Sequence, residues 1–331
     1  QTDFGVDFGF FNQRLTGSFD YYYKKTNDIL VQTPYIAAMG EGGEPWVNGA
    51  SMNNQGVEFT VSFKSDPSSE FQWAVSANIG TYKTELTDLP SNVINKYAGD
   101  GVHDLILGRS PNSAYGLVAD GIFKTQEEVD AHADQPGKAV GRIRYKDLDG
   151  DGVINETYDR TWIGCYDPDF FGGLNFDFAY KGFDLNLFFE GMFGNDVNSD
   201  WKKESDIWLF TNPAWKNHAT RMLGGWSPDN PNSDIPAISN NTANQEQRFS
   251  SWFIEDGSYI KLRNIELGYT FPTKLIQKMH MSNLRLYAAA HNVFTLKKFW
   301  GDDKYTSFDP ERPSYHYLTP FTFNFGINVS F

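Results

Sequence analysis

The chain is 331 residues long, carries a formal net charge of −14, and is 16% aromatic with a single Cys. The acidic balance argues against nucleic acid, whose phosphates need a basic patch that this sequence lacks. Cys165 alone rules out an internal disulfide framework, there is no CxxC pair or paired Cys/His ligand set, and no run of about 18 apolar residues could cross a membrane as a helix.

Gln1 to Phe4 already lie inside a strand pattern, with no basic region followed by an apolar stretch; either a secretory leader has been removed or the chain is a fragment. Phe4, Val6, Phe8 and Phe10 occupy alternate positions, and after an Asn12-Gln13 turn Leu15, Gly17, Phe19, Tyr21 and Tyr23 alternate with Thr16, Ser18, Asp20 and Tyr22. A hairpin follows, with Val57, Phe59, Val61 and Phe63 set against Phe71, Trp73, Val75, Ala77 and Ile79. Thr125 as cap with Glu128 three positions on predicts a short helix over residues 125–130. Leu174, Phe176, Phe178 and Tyr180, the Lys181-Gly182 turn, then Phe183, Leu185, Leu187 and Phe189 form another hairpin, with Asp177, Asp184 and Glu190 on its polar face. Residues 195–258 read as one long connection rich in Trp, Asn, Pro and Asp, a length that compact domains seldom carry without a functional reason. Ile265, Leu267, Tyr269 and Phe271, then Leu284, Leu286 and Ala288, give two more strands, and Phe321, Phe323, Phe325, Ile327, Val329 and Phe331 give a last one.

Side chains change face at every residue of a strand, so each segment has one apolar and one polar side. A sandwich and a membrane barrel share that alternation. Strands of about nine or more residues, long enough to cross a bilayer at a tilt, and aromatics gathered at strand ends favour the barrel. The fold class is therefore all-β, a transmembrane antiparallel barrel of roughly ten strands in this chain, an even number, with long loops at one rim.

Asp147, Asp149 and Asp151, with Gly152 next and Val153 able to offer a carbonyl, have the oxygen spacing of a calcium loop that continues through Asn155. The pattern departs where a bidentate Glu belongs, since Tyr158 stands there with Asp159 one step later. The competing reading is a solvated Asp-Gly turn held by side-chain to backbone hydrogen bonds. Trp201, Trp208, Trp215 and Trp226 in the long loop are candidates for stacking on a solute, with Trp252 beside them, or for ordering the loop and meeting a partner. Catalysis has little support: His103, His132, His218, His280, His291 and His316 are scattered, and Asp184 and Glu190, the best acid/base pair, fit a water-facing wall equally well.

One ordered set of motifs stands out. Asp120-Gly121-Ile122-Phe123 leads into the short helix, then Pro136-Gly137, then Gly141 through Asn155 with its Asp-Gly repeats, then Ile163-Gly164 and Pro168-Asp169-Phe170 before a strand at Gly172-Gly173. Phe253 through Asn264, Leu267-Gly268-Tyr269, His291-Asn292-Val293-Phe294-Thr295 and Asp309-Pro310-Glu311 complete it, with His291 where the family usually has Gln. This order resembles the C-terminal barrel half of SusC/RagA-type TonB-dependent transporters. The resemblance implies that residues 1–331 are the C-terminal part of a barrel of about 22 strands, with the lumen-filling plug and TonB box outside this chain. It also implies an outer-membrane location, active import of a glycan or peptide under a SusD-like surface lipoprotein, work supplied by TonB–ExbB–ExbD, and dimers of transporter–lipoprotein pairs. The acidic surface leans toward neutral oligosaccharides. The alternative is a complete small barrel acting as passive porin or adhesin.

Overall fold

The computed structural model describes residues 1–32, 46–91, 93, 105–207, 218–239, 241–297, 306–313 and 317–331. In chain order its strands are β1 (Thr2–Phe10), β2 (Leu15–Gln32), β3 (Trp46–Lys64), β4 (Phe71–Asp88), β5 (Ser113–Leu117), β6 (Ala119–Ile122), β7 (Ile143–Tyr145), β8 (Arg160–Cys165), β9 (Phe170–Tyr180), β10 (Phe183–Phe193), β11 (Asp196–Asn198), β12 (Ile254–Asp256), β13 (Tyr259–Thr270), β14 (Asn283–Lys297) and β15 (Thr322–Ser330). The nine long ones form a single sheet in the order β1-β2-β3-β4-β9-β10-β13-β14-β15, antiparallel at every step. Each long strand pairs with the next long strand in the chain, so the sheet is a meander. The turns 11–14, 65–70, 181–182 and 271–282 lie at one rim, and the strand ends from which the longer connections leave, Gln32, Trp46, Asp88, Phe170, Phe193, Tyr259, Lys297 and Thr322, lie at the other. The remaining six strands pair among themselves as β5-β8, β6-β7 and β11-β12 within those long connections.

Register makes the two faces continuous. One hydrogen-bonded row runs through Phe10, Leu15, Phe63, Val75, Phe176, Leu187, Ile265, Ala290 and Phe323, apolar in all nine strands. Its neighbour on the other face runs Lys64, Ala74, Asp177, Asn186, Glu266, Ala289 and Asn324. Among the described residues nothing covers the apolar rows: Phe4 is 62% exposed, Phe325 79% and Ile327 66%. A sandwich would bury them against a second sheet. An exposed apolar face of this extent is stable only against hydrocarbon.

Turn and close-approach chemistry support the hairpins. Lys181 and Gly182 both have positive φ, 47° and 88°, the two-residue turn whose twist matches the strands it joins. At Gly326 the Tyr287 ring lies where a Cβ would stand, so only glycine lets that aromatic lie flat on the polar face of β14 and β15.

Among the described residues the sheet has nine strands, one for each alternating segment in the sequence, and the short strands pair in the loops instead of joining the wall. Nine alternating strands leave β1 and β15 running in the same direction. Among the described residues no pairing joins them, so this sheet is a section of wall with two open edges and not a complete small barrel.

Among the described residues, packed cores occur only toward the long-loop rim. β2, β3 and β4 are 18, 19 and 18 residues long, about twice what a tilted membrane strand needs. Their outer halves bury Val31, Ala50 and Leu86 with Leu89, Val93 and Ile106. A second core, Leu117, Ile143, Tyr145, Ile154, Ile207 and Phe253, joins the 89–169 and 194–258 connections into one lobe. For the sheet, Leu187→Arg on the apolar row should lower the unfolding free energy of the full-length protein in vesicles by about 2–4 kcal/mol. Thr16→Arg on the polar face should change it by less than about 1 kcal/mol; urea titration reads both.

Candidate functional site

The polar face concentrates its charge on β10, β13 and β14. Arg285 holds Asp184 through two guanidinium nitrogens, one at 3.0 Å, and Glu266 at 2.7 Å. Arg263, the extra residue of a bulge opposite Phe188 and Phe189, donates to Glu190 at 2.8 and 3.2 Å and to Glu311. Lys261, 2% exposed, donates to Asp309 at 2.7 Å and to Glu311, while the Tyr259 hydroxyl donates to Glu311 at 3.0 Å. The Tyr259-Ile260-Lys261-Leu262-Arg263 and Asp309-Pro310-Glu311 motifs are thus two halves of one clamp, which holds the last long loop against the water-facing wall. Burial opposes ionisation of Asp309 and Glu311, but Lys261, joined at Glu311 by Arg263, outweighs it and holds both carboxyls below their usual range. Asp184 and Glu190 are each tied to an arginine, which fits a structural role and leaves no free acid/base pair there.

The loop lobe contains the helix predicted from the sequence, α1 (Gln126–Ala131), capped by Thr125, whose hydroxyl accepts from the Glu128 amide at 3.3 Å. A buried ion pair fastens its two halves: Arg142 donates to Glu246 at 2.7 Å, both side chains 6% exposed, and Glu246 also accepts from the Ile143 amide at 2.9 Å. Trp201 packs edge-on against Phe308 with ring centroids 4.7 Å apart. Trp226 lies against Gly141 with its indole nitrogen buried, and Lys202 sits over the Trp252 ring at 4.8 Å. Each of these three indoles has an intramolecular packing partner; Trp208 and Trp215 lie outside the described residues, as do His103 and His316.

The Asp-rich turn is assembled as its spacing suggests. Asp147, Asp149 and Asp151 bring carboxylate oxygens within 4.8 Å of one another. Asp147 accepts from the amides of Gly150 (2.7 Å) and Gly152 (2.9 Å), and Asp151 from Val153 (2.7 Å). Burial works against ionisation of Asp147, but those glycine amides outweigh it and hold its carboxyl low. Asn155 and Asp159 are not brought to the cluster: the Asn155 side-chain oxygen accepts from Thr157 and Tyr158, and Asp159, fully buried, accepts from Leu148 at 2.8 Å and Asn155 at 2.7 Å. They build the turn behind the three carboxylates.

A cleft of about 590 Å³, which no sequence pattern signals, opens where β10 and β13 meet the long loops, between Tyr166, Asn195, Asp196, Asp200, Tyr259 and Glu311. Its members come from four separate stretches of chain, and none carries a recognisable spacing.

A two-faced antiparallel wall with charged residues on one side, lipid-type residues on the other and a folded lobe at one rim defines a section of a membrane-spanning β-barrel. No protein-family model matches the chain. TonB-dependent receptor P3 of Formosa agariphila is 31% identical over 349 residues, covering 100% of this chain and 34% of that protein. TonB-dependent receptor SusC of Bacteroides thetaiotaomicron is 26% identical, covering 99% and 31%. Among solved structures, the RagAB peptide transporter superposes with a TM-score of 0.76 at 24% identity, and the RagAB peptide importer in its closed-closed state with 0.74 at 25%; both cover 99% of this chain, and 34% and 35% of theirs. The chain matches a barrel region of SusC/RagA-type TonB-dependent receptors along its whole length, and it spans about a third of the length of the relatives it matches.

The clamp has two expected signatures in the full-length protein. Lys261→Met, which leaves Asp309 without its cation and Glu311 with Arg263 alone, should cost about 3–5 kcal/mol and expose the 306–313 segment to limited proteolysis. Because both carboxyls are depressed on folding, their contribution is fully present above ordinary carboxylate values and is lost as pH falls through the depressed ones. Proteolysis of this loop should therefore stay slow at neutral pH and rise only below about pH 4.

Proposed function

We propose that this chain is the C-terminal part of the barrel of an outer-membrane importer that moves a glycan or peptide nutrient into the periplasm without altering it. In this reading the solute is captured at the long-loop face under a SusD-like surface lipoprotein. TonB–ExbB–ExbD supplies the work, acting on a plug and TonB box carried by the rest of the polypeptide, and transporter–lipoprotein pairs associate as dimers. The observation that carries the reading is the unbroken apolar row of nine strands backed by a hydrated, charge-lined face, in a chain similar along its whole length to named TonB-dependent receptors. The charged face has a physical role: three cations shared among five carboxylates line a water-filled passage with most of its charge compensated locally. Among the similar solved structures, RagAB is a peptide importer, which supports the peptide half of the reading.

Calcium binding at Asp147, Asp149 and Asp151 belongs to the same proposal, with the Val153 carbonyl as a further oxygen. With Asp159 buried outside the group of three carboxylates, the set is smaller than a full calcium cage. The affinity expected is that of extracellular modules, about 10⁻⁴–10⁻³ M.

Two outcomes follow. Deleting the gene should abolish growth on one glycan or peptide source, and collapsing the proton gradient should stop uptake of that solute in the parent strain; uptake that persists without the gradient contradicts import by this route. Calorimetry should register calcium binding to the full-length protein that disappears in an Asp147→Asn/Asp149→Asn variant. Equal heats in both proteins count against the metal.

A further inference from the structure

We infer that the lipid-facing side of β2, β3 and β4 carries, at its long-loop end, a site for the phosphate of a membrane lipid, held by Lys25 and Lys83 with Gln55 between them. The inference rests on the two-faced wall and goes beyond the importer reading.

Register fixes the direction of these side chains. Tyr23, Gln55 and Lys83 form one paired row, and Lys25, Asn53 and Glu85 form the next. Both rows share the face of Leu15, Phe63 and Val75, because no irregularity interrupts the pairing of β2 from Leu15 to Thr26, of β3 from Met52 to Phe63 or of β4 from Val75 to Leu86. These polar groups therefore continue the face that lies against hydrocarbon and not the water-facing wall.

Their height follows from strand geometry. Leu15 to Lys25 covers roughly 33 Å of strand. At a tilt of about 40° that is a rise of roughly 25 Å, the height of the apolar band of a membrane barrel. The face changes character at that level: Phe19, Phe59 and Ile79 lie in one row, Tyr21, Val57 and Thr81 in the next, and the two polar rows follow. On β9 and β10 the apolar face ends in Phe170 and Phe193, paired with each other and stacked with ring centroids 4.7 Å apart. Aromatics ending the apolar face here mark the boundary between acyl chains and headgroups.

The chemistry above that boundary is cationic and rich in donors. Lys83 pairs with Glu85 at 2.6 Å, whereas Lys25 is exposed and has no ion-pair partner among the described residues. The two rows thus hold two ammonium groups against one carboxylate, and exposed Gln55 adds amide donors between them. Lys25 and Lys83 stand two strands and two residues apart, roughly 12 Å between Cα atoms on the spacings of a sheet. Two long stems can close that gap onto one phosphate while lying along the apolar surface below, and the ammonium groups then rise to headgroup level.

Two other occupants fit less well. An isologous second copy would set this net-positive surface against itself. A water-soluble protein resting on these rows would meet the acyl chains packed on Phe19, Phe59 and Ile79 immediately below.

The test is native mass spectrometry of the purified full-length transporter with dioleoyl phosphatidic acid, dioleoyl phosphatidylcholine, dioleoylglycerol and inorganic phosphate as probes at equal concentration. Phosphatidic acid should be retained in preference to the other two lipids, and Lys25→Gln/Lys83→Gln should retain one molecule of it fewer. Lys24→Gln removes the same charge one residue away, on the opposite face, and should leave the number bound unchanged. If the double variant loses the heat-modifiable mobility of a folded barrel, Lys25→Gln alone decides, with a fall of about fivefold in affinity for that molecule expected. Undiminished retention of phosphatidic acid in the folded variants, or an equal loss in Lys24→Gln, overturns the site. Dioleoylglycerol retained as well as phosphatidic acid overturns it too, because the apolar band alone would then hold the lipid. Displacement of the lipid by inorganic phosphate would reassign the rows to a small anion, and a dimer peak that vanishes in the double variant would reassign them to a second copy; either result overturns the lipid site.

Discussion

Contact between hydrocarbon and one face of the sheet is the constraint on which the rest of this molecule depends. With side chains alternating at every residue, a slip of a single position in any strand pair would carry an entire Phe- and Leu-rich row into water and a row of Asn, Asp and Glu into lipid. The register from Phe10 to Phe323 avoids that through eight consecutive pairings, even where β10 and β13 meet at a bulge. The bulge has its own use. By inserting Arg263 between paired neighbours it turns that guanidinium toward Glu190 and Glu311 while Leu262 and Ile265 keep their pairing.

Hydration of the opposite face determines where the chain can place a core. The wall buries little across its membrane span, so one packed cluster lies on the outer halves of β2, β3 and β4 and the other lies in the loop lobe. Those loops are fastened by charge as well as by apolar contact: Arg142 with Glu246 inside the lobe, Arg221 with Asp206 at its edge, and Lys261 with Asp309 and Glu311 where the last loop meets the wall. The Arg142–Glu246 pair and the Lys261 group are held by further hydrogen bonds, which is what makes a desolvated ion pair tolerable. The outer mouth is therefore a shaped surface, and the acidic cleft at its base keeps its form because the Asp309-Pro310-Glu311 segment cannot swing away while Lys261 is charged and paired.

Much of this was legible in the residues. Alternation from Phe183 to Phe189 and from Phe321 to Phe331 reports one-sided burial directly, the Lys181-Gly182 turn reports positive φ, and Thr125 with Glu128 reports a helix start, because each signal is local. What was not legible is non-local. β3 reaches back to Trp46 although Asn53 and Asn54 break its apolar alternation, because pairing with β2 and the Val31, Ala50 and Leu86 cluster hold it above the membrane. Lys261 and Asp309 are 48 residues apart, and no spacing rule joins them. Asp159 looked like a ligand because composition cannot distinguish a carboxylate facing solvent from one folded back on the amides of Leu148 and Asn155.

Spin-label scanning of β15 in the full-length protein, reconstituted into vesicles with Cys165 replaced by Ser, tests the two-faced wall most directly. Labels at positions 323, 325, 327 and 329 should be relaxed by oxygen dissolved in the bilayer and protected from a water-soluble nickel chelate, and labels at 324, 328 and 330 should show the opposite. A profile without this period of two, or one in which the Phe-bearing positions meet the aqueous reagent, would contradict the account.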